Sequence, residues 1–236
     1  LDGISGELVA TVPLGASIGI LALAVNPRHR LLYASVYHAV EIVDLQDLSV
    51  VGRLDRQVYV TLEADPTSER FFVSEYDSRG NSQYLVAYDA LGRKVLGRVP
   101  IGGDPRGMAV DPVRGRIYVA NSWTNDVSVI DSRTLEPIAT VPVGLQPLAV
   151  AVGKDGQVYV VNSGSENVAI VHGESSRLLR VVALALLPRG MAVQPDTGRL
   201  YVACASTNSV FVVEDQRVVA EPVSYTHLTL PPNREV

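Results

Sequence analysis

The sequence predicts an all-β protein assembled from one repeated four-stranded antiparallel unit. Three observations predict it. A string of about forty residues recurs along the chain. Each copy consists of short Val, Ile and Tyr runs broken by Gly, Pro, Asn and Asp. No stretch shows the apolar spacing of a helix.

The copies follow in order. Residues 104–144 read DPRGMAVDPVRGRIYVANSWTNDVSVIDSRTLEPIATVPVG, and residues 187–213 read LPRGMAVQPDTGRLYVACASTNSVFVV. Between them, 146–171 read QPLAVAVGKDGQVYVVNSGSENVAIV, and two more divergent copies begin LALAVNPRHRLLYAS at 21–35 and TLEADPTSERFFVS at 61–74. The aromatic residues Tyr33, Phe72, Tyr118, Tyr159 and Tyr201 align at intervals of 39, 46, 41 and 42, a mean of 42. The long interval comes from extra residues between Tyr76 and Gln83. A period of roughly 40–45 residues fits a four-stranded propeller blade or a pair of HEAT or armadillo helices, and the strand-forming composition selects the blade. The repeats are 16–54, 55–103, 104–144, 145–186 and 187–223.

Within 104–144 the expected strands are Met108–Val110, Arg116–Ala120, Val127–Ile130 and Ile138–Val143. Turns this tight join only antiparallel neighbours. Alternation is incomplete, since Ile130 is apolar on the face opposite Val127 and Val129. That is expected of a small sheet packed between two others and buried on both faces. Asp131, with Asp89 and Asp44 in the same place, closes the third strand, where a carboxylate accepts backbone N–H bonds in the following turn.

Composition narrows the function classes. The chain of 236 residues is 47% hydrophobic and 19% charged, which excludes a disordered polymer. Lys+Arg 20 against Asp+Glu 25 leaves no basic excess for general nucleic-acid binding. One cysteine, Cys204, excludes an internal disulfide framework and a cysteine-built zinc site. The longest apolar run, Val181 to Leu187, is far short of the roughly 20 residues that span a bilayer.

The runs Tyr118-Val119-Ala120-Asn121 and Tyr159-Val160-Val161-Asn162, with Val-x-Val-Ile-Asp after the first, resemble the YVTN family of β-propeller repeats. The resemblance covers nearly all of residues 1–222. It is strong in the last three copies and weak in the first two, where Ser35 and Ser74 replace the motif Asn; Cys204 replaces it in the fifth. It implies an exported or cell-surface setting, periplasmic or extracellular, in a bacterium or archaeon, and a parent with more blades, seven being common in that family. Residues 1–15 match 130–144 place for place and read as the end of a preceding blade. At the other end, Val223 to Leu228 resembles the translation of a sequencing-library adapter, so residues 224–236, with His227, are set aside as a non-native tail.

Connectivity assigns faces. The loops before strand one and between strands two and three open on one face of the ring. That face gathers Asp104, Arg106, Gln146 and Arg189 with Trp123, Asn125, Asn208 and the 75–83 insertion carrying Tyr76, Asp77 and Arg79. Strand one is innermost, so Arg106 and Arg189 are expected at the channel rim. Two guanidiniums there suit a carboxylate or phosphate; the plainer reading pairs each with a neighbouring carboxylate or leaves it in water. Leu21, Val60 and Leu148 hold the equivalent positions. Trp123, in a polar loop, suits either partner anchoring or cover for the adjacent blade. Glu63 replaces Ala24, Ala109, Ala151 and Ala192 on the inner strand; a channel-facing carboxylate suits a metal ligand or a base, but with no partner acid at the equivalent positions it reads as a solvated channel group. His29, His38 and His172 lack metal-ligand spacing, and the chain has no Ser nucleophile elbow, P-loop or dinucleotide fingerprint.

The sequence reading is therefore a non-catalytic binding scaffold without a cofactor. Its channel-mouth face takes a protein, a glycan or a small anionic ligand. The alternative is the propeller domain or subunit of a secreted enzyme, since seven-bladed lactonases and quinone- or copper-dependent oxidoreductases look similar.

Overall fold

The chain forms five four-stranded antiparallel sheets, each made of consecutive strands in sequence order. A computed structural model describes residues 8, 10–15, 19–36, 39–55, 58–77, 82–184, 187–194, 197–214 and 217–220. The first blade holds β1 (Ile20–Asn26), β2 (Leu31–Val36), β3 (Ala39–Asp44) and β4 (Val50–Asp55). The second holds β5 (Val58–Ala64), β6 (Arg70–Asp77), β7 (Ser82–Asp89) and β8 (Val95–Ile101). The third holds β9 (Pro105–Asp111), β10 (Arg116–Asn121), β11 (Asp126–Asp131) and β12 (Pro137–Pro142). The fourth holds β13 (Pro147–Val152), β14 (Gln157–Asn162), β15 (Asn167–His172) and β16 (Arg177–Ala183), and the fifth β17 (Pro188–Val193), β18 (Leu200–Cys204), β19 (Ser209–Glu214) and β20 (Arg217–Ala220). Much of 1–15 and all of the tail 224–236 lie outside the described residues.

The blades stack face to face, and each of the four core clusters belongs to one pair of consecutive blades. Tyr33, Val40 and Ile42 meet Phe71, Val73 and Tyr88 between the first and second. Phe72 and Leu85 meet Met108, Ile117 and Ile130 between the second and third. Val127 and Val129 meet Val158, Val160 and Val171 in the next interface, and Val161, Val168 and Ile170 meet Leu200, Val202 and Phe211 in the last. A strand sandwiched in this way is apolar on both faces: Ile117, Tyr118, Val119 and Ala120 of β10 are all fully buried. The inner strands β1, β5, β9, β13 and β17 pack on one another in that order. This is a β-propeller arrangement of five blades.

Side chains stitch the interfaces as well. The Tyr33 hydroxyl donates to the Ala90 carbonyl at 3.0 Å, and the Tyr118 hydroxyl to the Gly173 carbonyl at 3.0 Å. Each runs from the middle of one blade to the turn between strands three and four of the next. The tyrosine of the motif thus supplies ring area to the core and satisfies its own buried hydroxyl.

The turns follow residue chemistry. Asp131 Oδ1 accepts from the Arg133 and Thr134 N–H groups at 2.8 Å, Asp44 from Gln46 and Asp89 from Lys94. The Thr134 N–H, ahead of that of Arg133, holds the Asp131 carboxyl below its ordinary range. In the fourth blade His172 takes the position and its Nδ1 accepts from the Ser175 N–H at 3.1 Å. These residues shape turns, as the sequence indicates.

Two elements differ from expectation. The first strand of the third blade starts at Pro105 rather than Met108, because it carries a bulge near its start. The extra residues after Tyr76 lengthen the β6–β7 hairpin, which stays paired to Asp77–Ser82, instead of forming a long loop. Residues 78–81, including Arg79, lie outside the described residues, as do His38 and the side chain of Val60.

Candidate functional site at the channel mouth

The inner strand of every blade is bulged at the same place. Gly107 pairs with Ala120 and Pro105 with Asn121, so Arg106 has no partner opposite it. Leu148 and Arg189 occupy the same unpaired place, as does Leu21, and the second blade is shifted by two residues over 60–61. A bulge bends its strand and re-aims the extra side chain. Here it also lets the lead-in turn back over the blade, with Asp104, Gln146 and Leu187 in left-handed conformation at φ 56°, 52° and 54°.

That lead-in is tied to the loop between strands two and three. The Ser122 N–H donates to the Asp104 carbonyl at 2.8 Å and the Trp123 N–H to the Gly103 carbonyl at 2.9 Å. The same bonds recur from Ser163 to Gln146 and from Ala205 to Leu187. Arg106, Asp104 and Trp123 therefore share one face.

The individual side chains differ in freedom. Arg106 Nε donates to Asp104 Oδ2 at 2.9 Å, the neighbouring carboxylate of the plainer reading. Exposed pairs of this kind contribute only about 0–1 kcal/mol. Arg189 is exposed and has no partner among the described residues. The two arginines stand on β9 and β17 with β13 between them, so the geometry makes no contact between them. Trp123 is 71% exposed, resting by its Cβ edge against Gly103.

Asn125 and Asn208 are turn residues, with φ 58° and 48°. Asparagine tolerates that conformation better than most. Asn125 also bridges blades: its Oδ1 accepts from the Gln146 N–H at 2.9 Å, and its carbonyl from the Val143 N–H at 3.1 Å. Tyr76 is half-buried within the lengthened hairpin.

Glu63 sits deeper. It lines a cavity of about 320 Å³ at the inner strands with Val25, Ala64, Pro66, Met108 and Val150, and it is the one polar side chain among the described residues there. Its Oε1 accepts from the Ala64 N–H at 3.0 Å. Burial pushes its carboxyl up to about 7, against the lowering effect of that bond.

Sequence reading passes over the motif asparagines. Asn121 and Asn162 are fully buried beneath the link between blades. Asn121 Nδ2 donates to Asp126 Oδ1 at 2.7 Å and to Ser128 Oγ at 2.9 Å; Asn162 Nδ2 donates to Asn167 Oδ1 at 2.8 Å. A Cβ on Gly102 would come within 2.7 Å of Asn121 Cγ, and one on Gly144 within 2.8 Å of Asn162 Cβ. Gly102-Gly103 is thus a link that passes tightly over a buried amide, and not a phosphate cradle. Cys204, in the equivalent place of the fifth blade, is buried, and burial pushes its thiol up.

Among the described residues no group of three or more His, Cys, Asp or Glu side chains is placed to hold a metal ion, and no helix is long and apolar enough to cross a membrane. No protein-family model matches the chain, and no curated protein matches it in sequence. Solved structures do. The WD40 β-propeller domain of Doa1 superposes with a TM-score of 0.69 at 14% identity, over 89% of this chain and 68% of that one. A protein of unknown function from Bacteroides caccae gives 0.67 at 15% identity, over 90% and 84%. The dihydro-heme d1 dehydrogenase NirN gives 0.65 at 14% identity, over 86% of this chain, which spans 47% of that enzyme. At such identities the likeness shows the propeller fold.

Proposed function

We propose that this propeller is a non-catalytic binding scaffold of the YVTN type, exported or at the cell surface, that presents its channel mouth to a partner. The observation that carries the reading is the bulge at the head of each inner strand, which puts Leu21, Arg106, Leu148 and Arg189 at the same unpaired position. Bulges cluster where a side chain has to be re-aimed toward a ligand. Among the three partner kinds, an anionic group suits the two arginines, with Arg189 unpaired among the described residues and Arg106 tethered by a weak exposed contact. A protein or glycan suits Trp123, whose exposed ring is a natural anchor beside them. The exposed faces of the first and last blades support a parent ring with further blades.

The double variant Arg106→Ala, Arg189→Ala in the complete protein tests this. Retention of carboxylated or phosphorylated ligands on an array should fall at least about tenfold, as expected when charge-assisted bonds are removed. Unchanged retention would contradict the reading. A second reading, a propeller domain of an enzyme, draws on Glu63, whose carboxyl near neutrality is suited to proton transfer. Loss of turnover in Glu63→Gln with ligand retention intact would favour it.

A further inference from the structure

Among the described residues, the cavity at the inner strands is apolar except at one point. Leu62 and Ala64 of β5 pack into the core shared with the first blade. Successive side chains of a strand point to opposite sides, so Glu63, between them, turns toward the third blade. There it meets the walls of the cavity of about 320 Å³, which Met108 and Val110 of β9, Val150 and Val152 of β13 and Val25 of β1 build. In the other blades the Glu63 position is an alanine, so this group is peculiar to one interface of the ring.

The carboxyl group is short of partners for its surroundings. Its Oε1 accepts from the Ala64 N–H at 3.0 Å, and its Oε2 accepts no hydrogen bond among the described residues. An ionised carboxylate offers about four acceptor sites, so most of its capacity is unused. No cationic side chain among the described residues lines the cavity. The neighbouring acids of the lining strands are committed to their own turns. Asp65 accepts from Thr67 and Ser68, and Asp111 from Val113 and Arg114. Neither lines the cavity.

We infer that this cavity binds a primary ammonium group on a compact aliphatic body, with Glu63 as its counter-charge and the valines as its walls. A charge withdrawn from water is costly unless it is paired, and an alkylammonium supplies the missing cation together with apolar surface for the walls. The volume lies near the lower end of small-ligand sites, about 300–1,000 Å³, which limits the body to a few carbons. A hard metal ion wants six or more oxygens and finds one carboxylate, about two oxygens, here. A sugar would leave its hydroxyls against valine. Glu63 thus holds a cation in place, and the site is independent of the arginines at the channel mouth.

The probe is isoamylamine, titrated into the whole chain and followed by NMR of the Val25, Val110, Val150 and Val152 methyl groups. Saturable shifts are expected at pH 8, with isoamyl alcohol, the same body without the charge, weaker by at least about tenfold. The ammonium needs Glu63 ionised, and burial holds that carboxyl near 7. An alkylamine stays protonated well above this range, so affinity should fall by about tenfold from pH 8 to pH 6, with uptake of the ligand releasing a proton at the lower value. Glu63→Gln should bind at least about tenfold more weakly at pH 8 and lose the pH dependence; if that variant fails to fold, the pH series and the alcohol in the native chain decide the matter. A blocked lysine peptide distinguishes the sources: it binds tighter than isoamylamine where a protein partner presents the group, and no tighter where the ligand is a free amine. No saturation at pH 8, equal binding of the alcohol, equal affinity at pH 6 and pH 8, or undiminished binding in a folded Glu63→Gln would overturn the inference.

Discussion

At the residue scale the most informative side chain is Glu63. Burial raises its carboxyl from an ordinary 4.5 to about 7. Between those values the folded chain holds a proton that the unfolded chain has released, so stability falls as pH rises through this window and the loss is complete above it. Glu63→Ala restores the alanine of the other blades. It should leave stability near pH 4 unchanged and raise it near pH 8 by on the order of 2 kcal/mol, measured by urea unfolding at both values. A variant with the same pH slope as the parent would contradict the assignment. Gly102→Ala makes the opposite kind of change. Its methyl would meet Asn121 Cγ at 2.7 Å, and overpacking of that sort costs about 1–3 kcal/mol, readable as a fall in urea midpoint. Glu63 is legible in the sequence because it breaks a column of alanines. The role of Gly102 is not, because the collision is with a residue nineteen positions later.

At the element scale, strands two and three were readable almost to the residue, since each is a short apolar run bounded by turn residues. Strand one was not. A bulge adds one residue without changing which types surround it, so Pro105 to Gly107 reads as a loop although Pro105 and Gly107 are both paired around the bulged Arg106. The hairpin at Tyr76 misleads for a related reason: its polar residues suggest a loop, while main-chain pairing continues to Asp77 and Ser82. The staples between blades were equally hidden, because Arg70 and Arg116 gain their meaning only when the next blade's carbonyls stand opposite, those of Ser132 and Arg133 for the first and of Glu174 for the second. Tyr118→Phe tests this layer. Removing the hydroxyl that meets the Gly173 carbonyl at 3.0 Å leaves a buried acceptor short of one bond and should cost about 1 kcal/mol in chemical unfolding. No change in stability would mean that this bond between blades is immaterial.

For the whole molecule, repetition makes equivalent positions directly comparable. Val127 and Val168 are 1% and 0% exposed where a following blade covers them, whereas Val210, in the same position of the fifth blade, is 50% exposed. Leu23 of the first blade is 56% exposed against 4% for Leu62 and 7% for Met108. A Cβ on Gly107 would lie 2.9 Å from Ala149 Cα, while one on the equivalent Gly190 meets nothing within 4 Å. Val210→Lys should therefore be tolerated and reduce self-association by light scattering, because it breaks up an exposed apolar face. Val168→Lys should unfold the chain, because it buries a charge without a partner. Similar behaviour of the two variants would contradict the difference between covered and open faces.

Blades packed face to face in chain order hold this fold together, and a NOESY spectrum of the methyl- and aromatic-labelled chain measures that packing most directly. It should connect Tyr33 with Phe71, whose rings are 4.4 Å apart, then Phe72 with Ile117, Val129 with Val160, and Ile170 with Leu200. Contacts that skip a blade, such as Ile42 with Ile130, in place of those four would contradict it.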